Sequence, residues 1–446
     1  MSRTLLIGVL TALWCGATCS PLEGGAAGGG LRAQGTAWAT SRGPDTVTAF
    51  DGATGKVLAT VHVGKAPMGL AVPIGSNKLY VGNEGSNSVS VISLKRREVI
   101  ATIDVGSRPH HMFASPDGTR VYVAEFGTNK IGVIDTMTDS LVAEWATGPP
   151  SERTHAPAPS PDGKTVYAVN SLSNKLVALD AQTGAIQWTM PTGTNPSEFH
   201  VLRDNRTGFM SIRNEDEVDE IDLSTRQIVR RIPVGDQPDT IQIAPDESFL
   251  VVALRGTPAE VDVVNLKTFA VAKVVFTGFG LTGHNWLSAN GRYTFVSLDN
   301  PGGVGVIDHR TNSIVATWPY PGGGSVHGMF YDDPRATLGP GMSISTRSAR
   351  VGRGGLVNVR VTCTEETAGF CRGSLALANA TRKLGTGGLS LRPGASANVA
   401  VTLTARAMSA LARKGTLATR ATAAASDLFG HRSRVSKTVL LRRSSR

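Results

Sequence analysis

Apolar residues come along this chain in short runs, separated by clusters of Gly, Pro, Asp, Asn and Ser. Runs such as Leu79-Tyr80-Val81, Val121-Tyr122-Val123, Val166-Tyr167-Ala168 and Leu250-Val251-Val252 are too short for helices. They are rich in β-branched and aromatic residues, and so predict strands. Between runs lie turns such as Ser115-Pro116-Asp117-Gly118 and Ser160-Pro161-Asp162-Gly163. Pro presets φ for such a turn, and Gly accepts φ > 0. No long amphipathic helical pattern interrupts the runs, so the expected class is all-β.

The runs repeat. Gly64, Gly106, Gly148, Gly193, Gly235, Gly278 and Gly322 each close a strand, at spacings of 42, 42, 45, 42, 43 and 44 residues. That period fits one four-stranded blade of a β-propeller. Before the Gly stand stretches such as Val99-Ile100-Ala101-Thr102-Ile103, suited to a blade's outer strand. After it, Pro67, Pro109, Pro196 or Pro238 opens the next innermost strand. Asp51, Asp135, Asp180, Asp222 and Asp308 end one strand of their copies, where Asp can bond its own following backbone. The N-terminal copy has three strands, and the C-terminal copy has only an inner one, Val326 to Tyr331. A seven-bladed propeller over residues 35–334 would therefore close with three strands from one chain end and one from the other, leaving no open edge.

Tyr80-Val81-Gly82-Asn83, Tyr122-Val123-Ala124-Glu125 and Tyr167-Ala168-Val169-Asn170 resemble the signature of the YVTN-type (YncE-like) seven-bladed β-propeller repeat family. The resemblance implies the fold. It does not imply an activity, because one propeller scaffold carries many.

After Pro334 the composition changes. Residues 341–446 hold 18 Lys and Arg against three acidic residues, a net +15, so the first 340 residues carry −5 of the chain's +10. Alternating runs such as Leu356 to Val361 and Ala397 to Leu403 predict a small β-sandwich. Val359-x-Val361-x-Cys363 with Cys371-x-Gly373 resembles the Ig-like C-terminal domains of some secreted actinobacterial proteins. Basic side chains on solvent faces keep a small domain soluble; the sharper reading is docking on a polyanionic cell-wall polymer. With Phe370 and Phe429 as its sole aromatics, the segment lacks the stacking platform of a nucleic-acid binder, so sequence-specific nucleic-acid recognition is not expected.

Arg3, the apolar run Leu5 to Trp14 and the small residues Cys15-Gly16-Ala17 read as a signal peptide over residues 1–19, followed by a Gly-rich linker over 20–34. The apolar run is about half the length a bilayer span needs. The expected location is secreted or on the extracellular side of the envelope, as a monomer without a transmembrane segment. Cys19 as a lipidated N-terminus is the alternative, weakened by the absence of Leu from Gly16-Ala17-Thr18. In an exported chain Cys363 and Cys371 are expected to pair as a disulfide.

Chemistry concentrates on the inner strands. His110, His111, His155, His284 and His327 all follow the turn Gly into the strand that faces the channel, and His200 lies further along its own. Equivalent positions of different blades converge on one ring, and converging neutral imidazoles suit copper or zinc. Glu198 and Asp239 would complete the ring. The plainer reading is that Pro-His-Gly belongs to the repeat itself. No hydrolase elbow, His-Glu-x-x-His, phosphate loop or c-type haem motif is present. The leading expectation is thus a ligand- or partner-binding or scaffold protein with no catalytic residues. A metal-binding protein or metal-dependent enzyme is the alternative, and a lactonase-type hydrolase rests on fold analogy alone.

Overall fold

The computed structural model describes residues 35–332 except 75, together with 31 and 33. It also describes 342–443 except 365–370, 380–381, 393–394 and 427–431. The expected signal peptide, residues 1–19, and the Gly-rich stretch 24–30 lie outside the described residues.

Seven four-stranded antiparallel sheets form the propeller. The closing blade pairs Val326–Asp332 with Thr36–Ser41, which continues to Thr46–Asp51 and Val57–His62. Burial follows position in the blade. The third strand Ser88–Ser93 is wholly buried, whereas the outer strand Glu98–Asp104 buries Ile103 alone. Cores therefore lie between blades. Tyr167 meets Phe199 of the next blade edge-on at 5.2 Å, and Phe295 stacks on Tyr331 at 4.1 Å. Each such ring contributes roughly 1.5–3 kcal/mol by leaving water.

The strand-ending aspartates hold their turns. Asp135 Oδ1 accepts from the amides of Met137 and Thr138, both at 2.9 Å, and Asp180 Oδ1 accepts from Gln182 at 3.0 Å and Thr183 at 2.8 Å. The Thr138 and Thr183 bonds hold these carboxyls below the usual carboxylate range.

The C-terminal domain is a small β structure around its own core, which includes Val359, Val401, Leu377, Ala421 and Leu441. Its two facing layers are halves of one eight-stranded sheet that curls on itself. Lys437 Nζ donates to Ile344 O across the gap at 2.9 Å. Strand Leu356–Cys363 alternates exposed and buried positions, as a one-sided sheet requires. A helix, Ala405–Lys414, starts at Thr404, whose hydroxyl accepts from Ala407 N. Cys363 and Cys371 are joined by a disulfide. No helix among the described residues is long and apolar enough to cross a membrane.

Candidate metal centre in the propeller channel

All seven innermost strands carry a register shift near their start, just inside the first residue in six of them and just inside the second, Thr282, in Leu281–Leu287. A β-bulge of this kind leaves an extra residue unpaired and re-aims its neighbours. Equivalent positions then fall into two tiers. The first holds Met68, His110, His155, Ser197, Asp239, Gly283 and His327. The second holds Gly69, His111, Ala156, Glu198, Thr240, His284 and Gly328.

Hydroxyls from the second strands bridge these bulges. Ser211 Oγ accepts from Glu198 N at 3.1 Å and donates to Asp239 O of the next blade at 2.6 Å. Ser297 Oγ accepts from His284 N at 2.8 Å and donates to His327 O at 2.5 Å. Thr40 Oγ1 links Gly328 N at 2.7 Å to Met68 O at 3.3 Å in the same way. Glycine lets neighbouring inner strands approach: a Cβ at Gly328 would stand 2.0 Å from Met68 O, and one at Gly69 2.2 Å from His110 O.

The bulge brings all five candidate histidines together. Ring centroids lie 4.8 Å apart for His110–His111, 4.6 Å for both His110–His155 and His111–His155, 4.4 Å for His111–His284 and 4.8 Å for His284–His327. All five are buried. His110, His111 and His155 each offer a ring nitrogen within 4.8 Å of the others. Two nitrogens on one tetrahedral zinc ion stand about 3.4 Å apart, at bonds of about 2.05 Å. Ring rotations closing the widest separation by about 1.4 Å would therefore bring the three nitrogens onto one ion.

The protonation state suits ligation. Burial drives every one of these imidazoles below its ordinary value, aided by the neighbouring rings and guanidiniums; His155 falls to about 3 and His284 to about 4. Neutral imidazole is the ligating form. His110 Nδ1, His111 Nε2 and His284 Nε2 are buried without a hydrogen-bond partner, which is costly for an isolated polar atom. His155 differs: Nδ1 donates to Ser197 O at 2.8 Å, and Nε2 accepts from Arg213 Nη2 at 3.1 Å.

The Asp239 and Glu198 carboxyls, one in each tier, are shifted in opposite directions. Burial pushes the Asp239 carboxyl up, but Arg213, which it bonds, and Arg255, 3.5 Å away, outweigh it and hold the group ionised. Burial raises Glu198, against the pull of His200, whose Nε2 lies 2.9 Å from Oε1. Glu198 lines a cavity of about 20 Å³ with His111, His284 and Thr240, room for one water-sized group. His200 is not among the five; it turns to Glu198 and sits edge-on to Phe113.

Sequence reasoning missed the arginines around this cluster. Arg42, Arg213 and Arg255 occupy one repeat position, directly after the second strand of their blades, and Arg108 and Arg153 directly precede inner strands. Aligning that column across copies was the available signal.

Fold and channel together define a seven-bladed propeller with a buried histidine cluster. A model of the YNCE-like beta-propeller family matches residues 74–338, and the chain belongs to that family. No curated protein matches the chain. Among solved structures it is similar to Kuenenia stuttgartiensis hydrazine synthase, at 23% identity over 64% of this chain and 92% of that one, with a TM-score of 0.53. It is also similar to a functionally unknown protein from Desulfotomaculum acetoxidans, at 13% identity over 67% and 99%, with a TM-score of 0.58. A third is the Cps50 (Swd1) beta-propeller domain of Myceliophteria thermophila, at 13% identity over 59% and 90%, with a TM-score of 0.52. These likenesses concern the fold alone.

Proposed function

We propose that this propeller is a binding protein whose channel holds a copper or zinc ion on His110, His111 and His155, with His284 and His327 beside them. The observation that carries the reading is the cluster of buried, neutral imidazoles in which His110, His111 and His284 each keep one ring nitrogen without a partner, with a His155 nitrogen within 4.8 Å of those of His110 and His111. Copper and zinc suit imidazole ligands. Ligation by His155 Nε2 would displace Arg213. Elemental analysis after native, chelator-free purification tests the reading: near one equivalent of either metal supports it, and neither metal present nor taken up on titration ends it.

The basic C-terminal sheet supports a second role. Residues 341–446 carry 18 Lys and Arg against three acidic residues. This excess suits docking on an anionic polymer of the cell wall, and the disulfide with the apolar N-terminal run supports an extracytoplasmic location. Retention on a polyanionic column that falls steeply with salt supports docking; retention equal to that of the propeller alone contradicts it.

A further inference from the structure

One end of the channel is strongly cationic, and its charges are paired in an unusual way. Glu84 is shared by two arginines: Arg42 Nη2 donates to Oε2 at 2.6 Å, and Arg108 Nε donates to Oε1 at 3.0 Å. Asp239 is shared likewise by Arg213 and Arg255. Each carboxylate thus neutralises half of the charge facing it. A fifth guanidinium, Arg153, lies 5.0 Å over the Phe126 ring, which Arg108 also covers at 5.0 Å. Phe126 in turn stacks on His110 at 5.1 Å. Five guanidiniums against two carboxylates leave three positive charges in excess around neutral imidazoles.

These groups stand against the histidine tiers. Arg213 Nη2 reaches His155, Arg255 Nη1 lies 3.4 Å from His327 Nε2, and Arg42 Nη1 lies 3.4 Å from Met68 Sδ. A donor remains unused: Arg213 Nε is buried without a partner. Guanidinium forks match the oxygens of carboxylate and phosphate. A metal cation on the imidazoles would add to the positive excess, so an anion beside it would relieve the repulsion.

We propose that this mouth binds a small molecule through an oxyanion group, carboxylate or phosphate, held by Arg42, Arg108, Arg153, Arg213 and Arg255 next to the histidine cluster. The anion site stands on its own charges; its place as a co-ligand of a bound metal rests on the metal reading above.

The test is calorimetric titration of the full, chelator-stripped protein at low ionic strength, with inorganic phosphate in one arm and succinate in the other. Saturable one-site binding of either is expected, with the tighter arm naming the oxyanion. Arg153→Gln, at the solvent side of Phe126, should weaken it about tenfold. Lys56→Gln, an exposed charge far along the closing blade, should leave it unchanged. Absence of saturable binding in both arms overturns the proposal, as does equal weakening by the two substitutions. Because the protein is metal-free, anion binding without later metal uptake would retain this site and remove only the metal reading.

Discussion

Arg213 Nη2 donates to His155 Nε2 at 3.1 Å, so a guanidinium occupies the nitrogen that a metal ion would need. The ring's other nitrogen is held by Ser197 O. Metal binding through His155 must therefore break a charge-assisted bond worth about 1.5–3 kcal/mol. Arg213→Met frees the nitrogen and removes a positive charge, while Arg255 still faces Asp239. Zinc should bind at least tenfold more tightly in the variant by isothermal titration. Unchanged or weaker binding would exclude His155 Nε2 as a ligand.

Asp219 makes stability depend on pH. It is buried with neither carboxyl oxygen hydrogen-bonded. Burial raises it to about 7; Glu217 and Glu215 add to the rise, and Arg231, 4.0 Å away, opposes it. The folded value exceeds the unfolded one. The stability cost is absent below about pH 4, grows as the unfolded carboxyl ionises, and is complete above about pH 7. Asp219→Asn should raise the denaturation midpoint more at pH 8 than at pH 4. An equal change at both pH values would contradict this account.

Gly328 sits where the ring closes, in the strand contributed by the C-terminal copy. An added Cβ would collide with the backbone oxygen of Met68 in the next blade. Gly328→Ala should lower stability by about 1–3 kcal/mol, in the range of other overpacked cores. Thermal unfolding followed by circular dichroism reads this, and an unchanged midpoint would show that the inner strands part easily.

The Cys363–Cys371 disulfide closes a short loop within the curled sheet. Chain entropy for a loop of that length gives about 2–3 kcal/mol. Cys363→Ala with Cys371→Ala should lower the unfolding midpoint of the C-terminal domain and leave the propeller's unchanged. Loss of the propeller transition as well would mean that the two units unfold together.

The propeller was legible in the sequence because each blade is one repeat: Gly64 to Gly322 mark the period, and Asp135 and Asp180 mark the same turn. The closing strand was legible because the two terminal copies are complementary fragments. The histidines were legible as a group on inner strands. Their tiers were not. Strict strand alternation would send the adjacent His110 and His111 to opposite faces, and only the bulge, invisible in composition, brings both rings into one stack. The arginines escaped because Arg42, Glu84, Phe126 and Arg213 share a repeat position without sharing chemistry.

The most direct test is titration of copper and zinc into the metal-free protein and into His110→Ala/His111→Ala, with folding of both verified. About one equivalent is expected to bind the parent protein, and none at the same concentrations the double variant. Equal uptake by the two proteins, or none by the parent, would contradict it.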